Sequence, residues 1–173
     1  MQKELASALS RKLLEIGIEG EVGNLEPLTG GASKEIWKFE VAINEQPTKM
    51  ILRRGSGIEG PLAIKTADEA KIQKEVIKVG APVPKILAVC QEEEELGDAY
   101  IMHFVEGESI ARKILRDKEY KKALPILAYQ CGEAIAKIHN VDINNFSFLP
   151  KKPAEDQLED LYATYQSFEQ PSP

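Results

Sequence analysis

The residues best placed to do chemistry lie in three short stretches. The first is "LTGGASKEIW" at 28–37, where Gly30 and Gly31 precede Ser33 and Lys34. A glycine has no Cβ, so its N–H can approach a phosphate oxygen closely and its φ is free to turn positive. Ser33 would add a hydroxyl or amide donor. The same residues suit a plain hairpin turn, and Lys34 suits either an added positive charge or a solvated side chain. The second stretch is "KMILRR" at 49–54, with adjacent cations. Strand alternation puts Ile51 and Arg53 on one face and Met50, Leu52 and Arg54 on the other. The plain alternative is a pair of solvated edge-strand arginines. The third is "TADEAKIQKEVIKVG" at 66–80. There Thr66 with Glu69 three residues on has the form of a capping box.

The remaining reactive groups are sparse. Cys90 and Cys131 lie far apart, which argues against a disulfide framework, and no ligand cluster supports a zinc site. Both read as small buried thiols in a reducing compartment. Asp156, Glu159 and Asp160 would share a helix side; a metal is one reading, a solvated face the simpler one. The net charge of −6 argues against a general nucleic-acid binder, whose affinity would need clustered Lys and Arg. A local anion site needs only amides and one or two cations, so it stays open. The N-terminal "MQKELASALSRKLLEIG" carries charges throughout and does not read as a signal peptide. No apolar run approaches the roughly 20 residues of a membrane span. The expectation is a cytoplasmic protein with no membrane partner.

These stretches need elements to hold them. Leu5, Ala8, Leu9, Leu13 and Ile16 follow helical spacing until Gly17. Strands are expected at 22–29, 36–43, 49–54, 85–90 and 99–105. In the second, Trp37, Phe39, Val41 and Ile43 share one face, and Ile36, Lys38, Glu40 and Ala42 the other, the mark of a half-buried antiparallel strand. "NEQP" at 44–47 reads as a turn. A helix is expected over 66–80, and "APVP" forces an extended entry into the next strand. Helices are expected at 109–116, 118–139 and 154–168. Strands grouped first and helices later indicate an α+β chain with two lobes, 1–105 and 106–173.

Taken together, "LTGGASKEIW", "ILRR", "EAKIQKEVIKVGAPVP" and "AYIMHFVEGES", with a weaker "GEAIAKIHNVD", resemble the N-terminal half of a kinase-like phosphotransferase. The likeness is to the aminoglycoside phosphotransferase and choline kinase group. It implies a protein-kinase-like N-lobe, a five-stranded antiparallel sheet plus helix, followed by the first helices of a helical C-lobe. It implies ATP as cofactor and a small hydroxylated acceptor. By the same resemblance, Gly30, Gly31 and Ser33 cover the phosphates, although the family's common Ser-Asn pair is here Ser33-Lys34. Arg53 takes the place of the third-strand cation, with Arg54 as its rival, and Ile51 caps the adenine. Glu69 is the helix carboxylate that holds that cation. Met102 lines the back of the pocket, the His103 carbonyl accepts from the adenine amine, and the Val105 N–H donates to the ring. His139 is structural, a helix-end histidine. The "ILRR" strand and the stretch from "APVP" to "EGES" are similar to a branch some of whose members act on hydroxyacyl-CoA. Aminoglycosides, choline, homoserine and sugars stay open as acceptors.

The family's catalytic loop supplies an aspartate for the hydroxyl proton and groups for Mg²⁺. The sequence has no His-Gly-Asp or His-Arg-Asp segment. The expectation is therefore a truncated enzyme that transfers no phosphate by itself, with Mg²⁺ bound only in a complete enzyme. A non-catalytic nucleotide-binding or regulatory module is the alternative. Apolar faces on the late helices lead to an expected homodimer.

Overall fold

The computed structural model describes residues 2–28, 34–55, 64–149 and 151–168. The chain is α+β, with a five-stranded antiparallel sheet early and helices afterwards. Helix α1 (Gln2–Glu15) leads into β1 (Val22–Pro27), β2 (Lys34–Ile43) and β3 (Gln46–Gly55). Helix α2 (Thr66–Lys78) then crosses to β4 (Ile86–Cys90) and β5 (Ala99–His103). Helices α3 (Ala111–Arg116), α4 (Leu124–His139) and α5 (Ala154–Ser167) follow.

The strand order is β1-β2-β3-β5-β4. The last strand, β5, lies between β3 and β4, so α2 carries the chain past β3 to the sheet edge and β5 returns to fill the gap. Register then sorts the two faces. Ile36, Arg53 and Tyr100 form one cross-strand row, and Lys38, Ile51, Met102 and Ile86 the next. The opposite face carries Trp37, Leu52, Ile101 and Ala88. α1 covers that opposite face: Leu5, Leu9 and Leu13 pack with Phe39, Met50, Leu52 and Ile101. α2 covers the first face, where Ala70 meets Ile86 and Tyr100.

Several boundaries differ from the sequence expectation for local reasons. The β2–β3 turn narrows to Asn44 and Glu45, both with positive φ (50° and 63°), the geometry of a tight hairpin whose twist matches its strands. β5 ends at His103 rather than 105, and α3 starts at Ala111 rather than 109. The expected helix over 118–139 is broken: a 3₁₀ turn spans Lys118–Tyr120 and α4 begins at Leu124, with Pro125 in its first turn. Proline fits there because its missing N–H has no intrahelical acceptor to satisfy. Cys90 is buried but Cys131 is exposed on α4, so the reading of two buried thiols fails for Cys131. Burial pushes the Cys90 thiol up to about 11, which keeps it protonated and unreactive at neutral pH.

Candidate nucleotide site

Arg53 and Glu69 meet across the gap between β3 and α2. The Arg53 Nε donates to Glu69 Oε2 at 2.8 Å, and Nη2 reaches Oε1 at 3.5 Å. Both side chains are about three-quarters buried, so solvent screens the pair less than a surface contact. The hydrogen bond that Glu69 accepts, more than its charge alone, raises the Arg53 pKa above its already high ordinary value. The guanidinium is thus a fixed positive charge, and part of its donor fork is unused among the described residues.

Register sends the neighbouring arginines to opposite faces. Arg53 lies on the α2 face, opposite Tyr100. Arg54 lies on the other face and donates from Nε to Glu35, its cross-strand neighbour, at 2.6 Å. That bond, ahead of burial, holds the Glu35 carboxyl below its usual range.

A cavity of about 360 Å³ opens beside the ion pair, lined by Arg53, Glu69, Ile72, Gln73, Pro84, Tyr100 and Met102. Its walls are largely apolar. The Gln73 Nε2 donates to the Tyr100 hydroxyl at 2.8 Å, while the Gln73 Oε1 is buried with no partner among the described residues. Burial raises the Tyr100 pKa, so the phenol is neutral and serves as a hydrogen-bonding group. Ile51, nearly fully buried, sits two strand residues from Arg53 on the same face and directly opposite Met102.

Beyond His103 the chain leaves the sheet. The His103 N–H donates to the Lys85 carbonyl at 3.0 Å, and the Phe104 N–H to that of Lys49 at 3.3 Å. Val105 is exposed, and its N–H has no acceptor among the described residues. Phe104 sits between lysines: Lys38 Nζ and Lys49 Nζ lie 5.8 and 5.6 Å from its ring centroid. Among the sequence candidates, Arg53, Glu69 and Met102 meet at one cavity, with Ile51 adjacent. His103 and Val105 lie along the strand exit. Gly30, Gly31 and Ser33 fall outside the described residues.

The capping box is overturned. Thr66 is the first helical residue rather than the cap, and Lys65, at the cap, makes no side-chain capping bond. The Asp98 carboxylate takes the Thr66 and Ala67 amides instead, at 2.7 and 2.9 Å. Glu69, released from capping, turns to Arg53. The Lys34 side chain is tied down rather than loose in solvent. Its Nζ donates to Thr66 Oγ1 at 3.0 Å and to the Ile64 carbonyl at 3.1 Å. Asp160 on α5 is taken by Lys152, which fits a solvated helix side.

The structure adds Gln73, Tyr100, Phe104 and Asp98, which sequence reasoning does not single out. Gln73 stands one helical turn after Glu69, and Tyr100 two strand residues before Met102, so periodicity carries a signal for both. For Asp98 no local pattern exists, because its partners lie 31 and 32 residues away.

A five-stranded antiparallel sheet with one crossing helix, followed by helices only, is the architecture of a kinase-like N-lobe and the chain after it. The model of the phosphotransferase enzyme family, that of the aminoglycoside phosphotransferases, matches residues 24–168, and the chain belongs to this family. No curated protein matches the chain. Among the described residues, no helix is long and apolar enough to cross a membrane.

Proposed function

We propose that this chain is the ATP-binding portion of a phosphotransferase that moves the γ-phosphate of ATP to a hydroxyl of a small acceptor. The observation that carries this reading is the Arg53–Glu69 pair beside an apolar-walled cavity that Met102 also lines. Arg53 would hold phosphate oxygens with its remaining donors, since a guanidinium pairs with them in a fixed fork. Glu69 keeps that fork from turning away. Ile51 and Met102 would flank the adenine, and the backbone of His103 and Val105 would read its edge. Gly30, Gly31 and Ser33 would cover the phosphates. In this reading the nucleotide-binding part ends near residue 105 and the helical part begins at 106.

The residues present do not fit Mg²⁺. Glu69, the carboxylate at the cavity, has both oxygens directed to Arg53. Among the described residues no group of three or more His, Cys, Asp or Glu side chains is placed to hold a metal. We therefore assign no chemical step to this chain alone: it binds nucleotide, and the aspartates for proton transfer and metal binding belong to a complete enzyme. The lack of a His-Gly-Asp segment in the sequence favours, as a second reading, a non-catalytic nucleotide-binding module.

The test has two arms. ATP at about 100 times its Kd should stabilise the chain by about 2.7 kcal/mol, read as a rise in Tm. A Mg²⁺-dependent ATP turnover assay should show no rate above the protein-free blank. No shift at millimolar ATP would overturn nucleotide binding, and measurable turnover would overturn the assignment of catalysis elsewhere.

A further inference from the structure

We propose that Asp98 is the positioning residue of the Arg53–Glu69 pair, fixing from the β4–β5 turn the strand that carries one partner and the helix that carries the other. This rests on the nucleotide reading above.

Asp98 immediately precedes β5. Its carboxylate accepts from the Thr66 amide at 2.7 Å and the Ala67 amide at 2.9 Å, one oxygen each. A helix begins with four amides that no intrahelical carbonyl reaches. Here half of them are taken by a side chain from another element. A negative charge at this end is also favoured by the helix dipole. The Asp98 main chain does a second job: its carbonyl accepts from the Gly55 N–H at 2.9 Å. Gly55 ends β3, two residues after Arg53. One residue thus bonds to the end of β3 and to the start of α2.

The distance from that anchor to the ion pair is short. Glu69 stands three residues beyond Thr66, less than one helical turn, or about 4.5 Å along the axis. A rigid helix carries an error at Thr66 to Glu69 with little loss. Lys34 adds a third strand to the knot, because it donates to the Thr66 hydroxyl from the first residue of β2. Thr66 itself is completely buried, so water does not compete at its end of these bonds. Lys65, the residue at the cap position, contributes no side-chain capping bond. Without Asp98, the side-chain contacts left at the start of α2 among the described residues are those of Lys34 and an exposed Lys65–Glu92 ion pair at 3.5 Å, and Glu69 is free to shift away from a bond that is 2.8 Å long.

A residue that merely stabilises the fold would lower Tm and leave ATP affinity alone. A positioning residue acts through Arg53 and Glu69, so its loss must not add to theirs. The test is a double-mutant cycle on ATP affinity by calorimetry, with the whole chain, at a temperature where circular dichroism shows each variant folded. Asp98→Ala and Glu69→Gln are each expected to weaken ATP about tenfold. The double variant should be no weaker than Glu69→Gln alone. Wild-type affinity in folded Asp98→Ala, or losses that multiply in the double variant, would overturn the proposal. Should Asp98→Ala fail to fold, Asp98→Asn, which keeps the shape but accepts one amide less well, goes through the same cycle. Should the wild-type chain bind no ATP, the nucleotide reading fails. The positioning claim is then decided by the Arg53–Glu69 coupling in urea unfolding: it should vanish in Asp98→Asn, and its survival would contradict the proposal.

Discussion

The sheet with its two covering helices and the later helices are built from similar amphipathic material and end up differently. α1 buries Leu9 and Leu13 completely. α4 carries Ile126, Leu127, Ile135 and Ile138, and all are exposed. Among the described residues from 106 to 168 not one is buried, whereas both core clusters lie within residues 5–102. An apolar stripe contributes to stability only when a facing surface removes it from water, at about 1.5–3 kcal/mol per large aliphatic side chain. The sheet supplies that surface to α1 and α2. Nothing in the described chain supplies it to α4 or α5. The comparison teaches that the candidate site is held by a self-sufficient framework, while the helical segment leans on it at few points. One such point is α2, where Asn145 donates to Glu75 at 3.2 Å and Lys71 lies 5.0 Å from the Phe148 ring centroid.

The largest expected effect breaks the framework itself. Leu9→Ala should cost about 2–5 kcal/mol in urea unfolding, since a fully buried leucine leaves a cavity on the sheet. A cost below about 1 kcal/mol would mean that α1 does not cover the core.

Next comes the site. Arg53→Ala should weaken ATP binding by about 10- to 100-fold, the worth of charge-assisted bonds. Arg54→Ala, on the other face with Glu35, should change it by less than about threefold. Equal losses for both would erase the distinction that register makes.

A smaller effect follows from acid. Burial alone would raise the Asp98 pKa, but the Thr66 and Ala67 amides, the Thr66 side chain and the Lys34 charge outweigh it and lower it. Its folded value is below its unfolded one, so its stabilisation is complete above the unfolded pKa of about 3.9 and is lost as pH falls through the folded value. The acid drop in Tm below about pH 4 should be shallower in Asp98→Asn than in wild type. Parallel curves would contradict the cap.

The smallest effect lies on the far side of the comparison. Ile135→Ala should change stability by no more than about 0.5 kcal/mol, because the side chain is already half exposed. We also propose that the exposed apolar row brings copies of the chain together, which sedimentation would register as concentration-dependent mass. A clean monomer at high concentration would contradict that.

Much of the fold is legible in the sequence, and the illegible part has a physical cause. Alternation in "KMILRR" by itself separates Arg53 from Arg54, and the same alternation in 36–43 places Trp37 and Phe39 toward the core. Element order gives the α+β class. The helix start at Thr66 is legible, but the group that caps it is hidden: a local capping pattern competes with a distant carboxylate, and the sequence around Thr66 holds no trace of Asp98. The break before α4 has a signal in Pro125, whose fixed φ suits a first helical turn better than an interior. Lys34 has no local signal, because its acceptors belong to the start of α2 rather than to β2.

Arg53 as the cation of a nucleotide site is the central claim. Its most direct test is calorimetric titration of ATP into the wild-type chain and into Arg53→Ala and Arg54→Ala. Saturable binding is expected for wild type, nearly the same binding for Arg54→Ala, and a loss of about tenfold or more in Arg53→Ala. Binding that is absent in the folded wild type, or unchanged in Arg53→Ala, would contradict it.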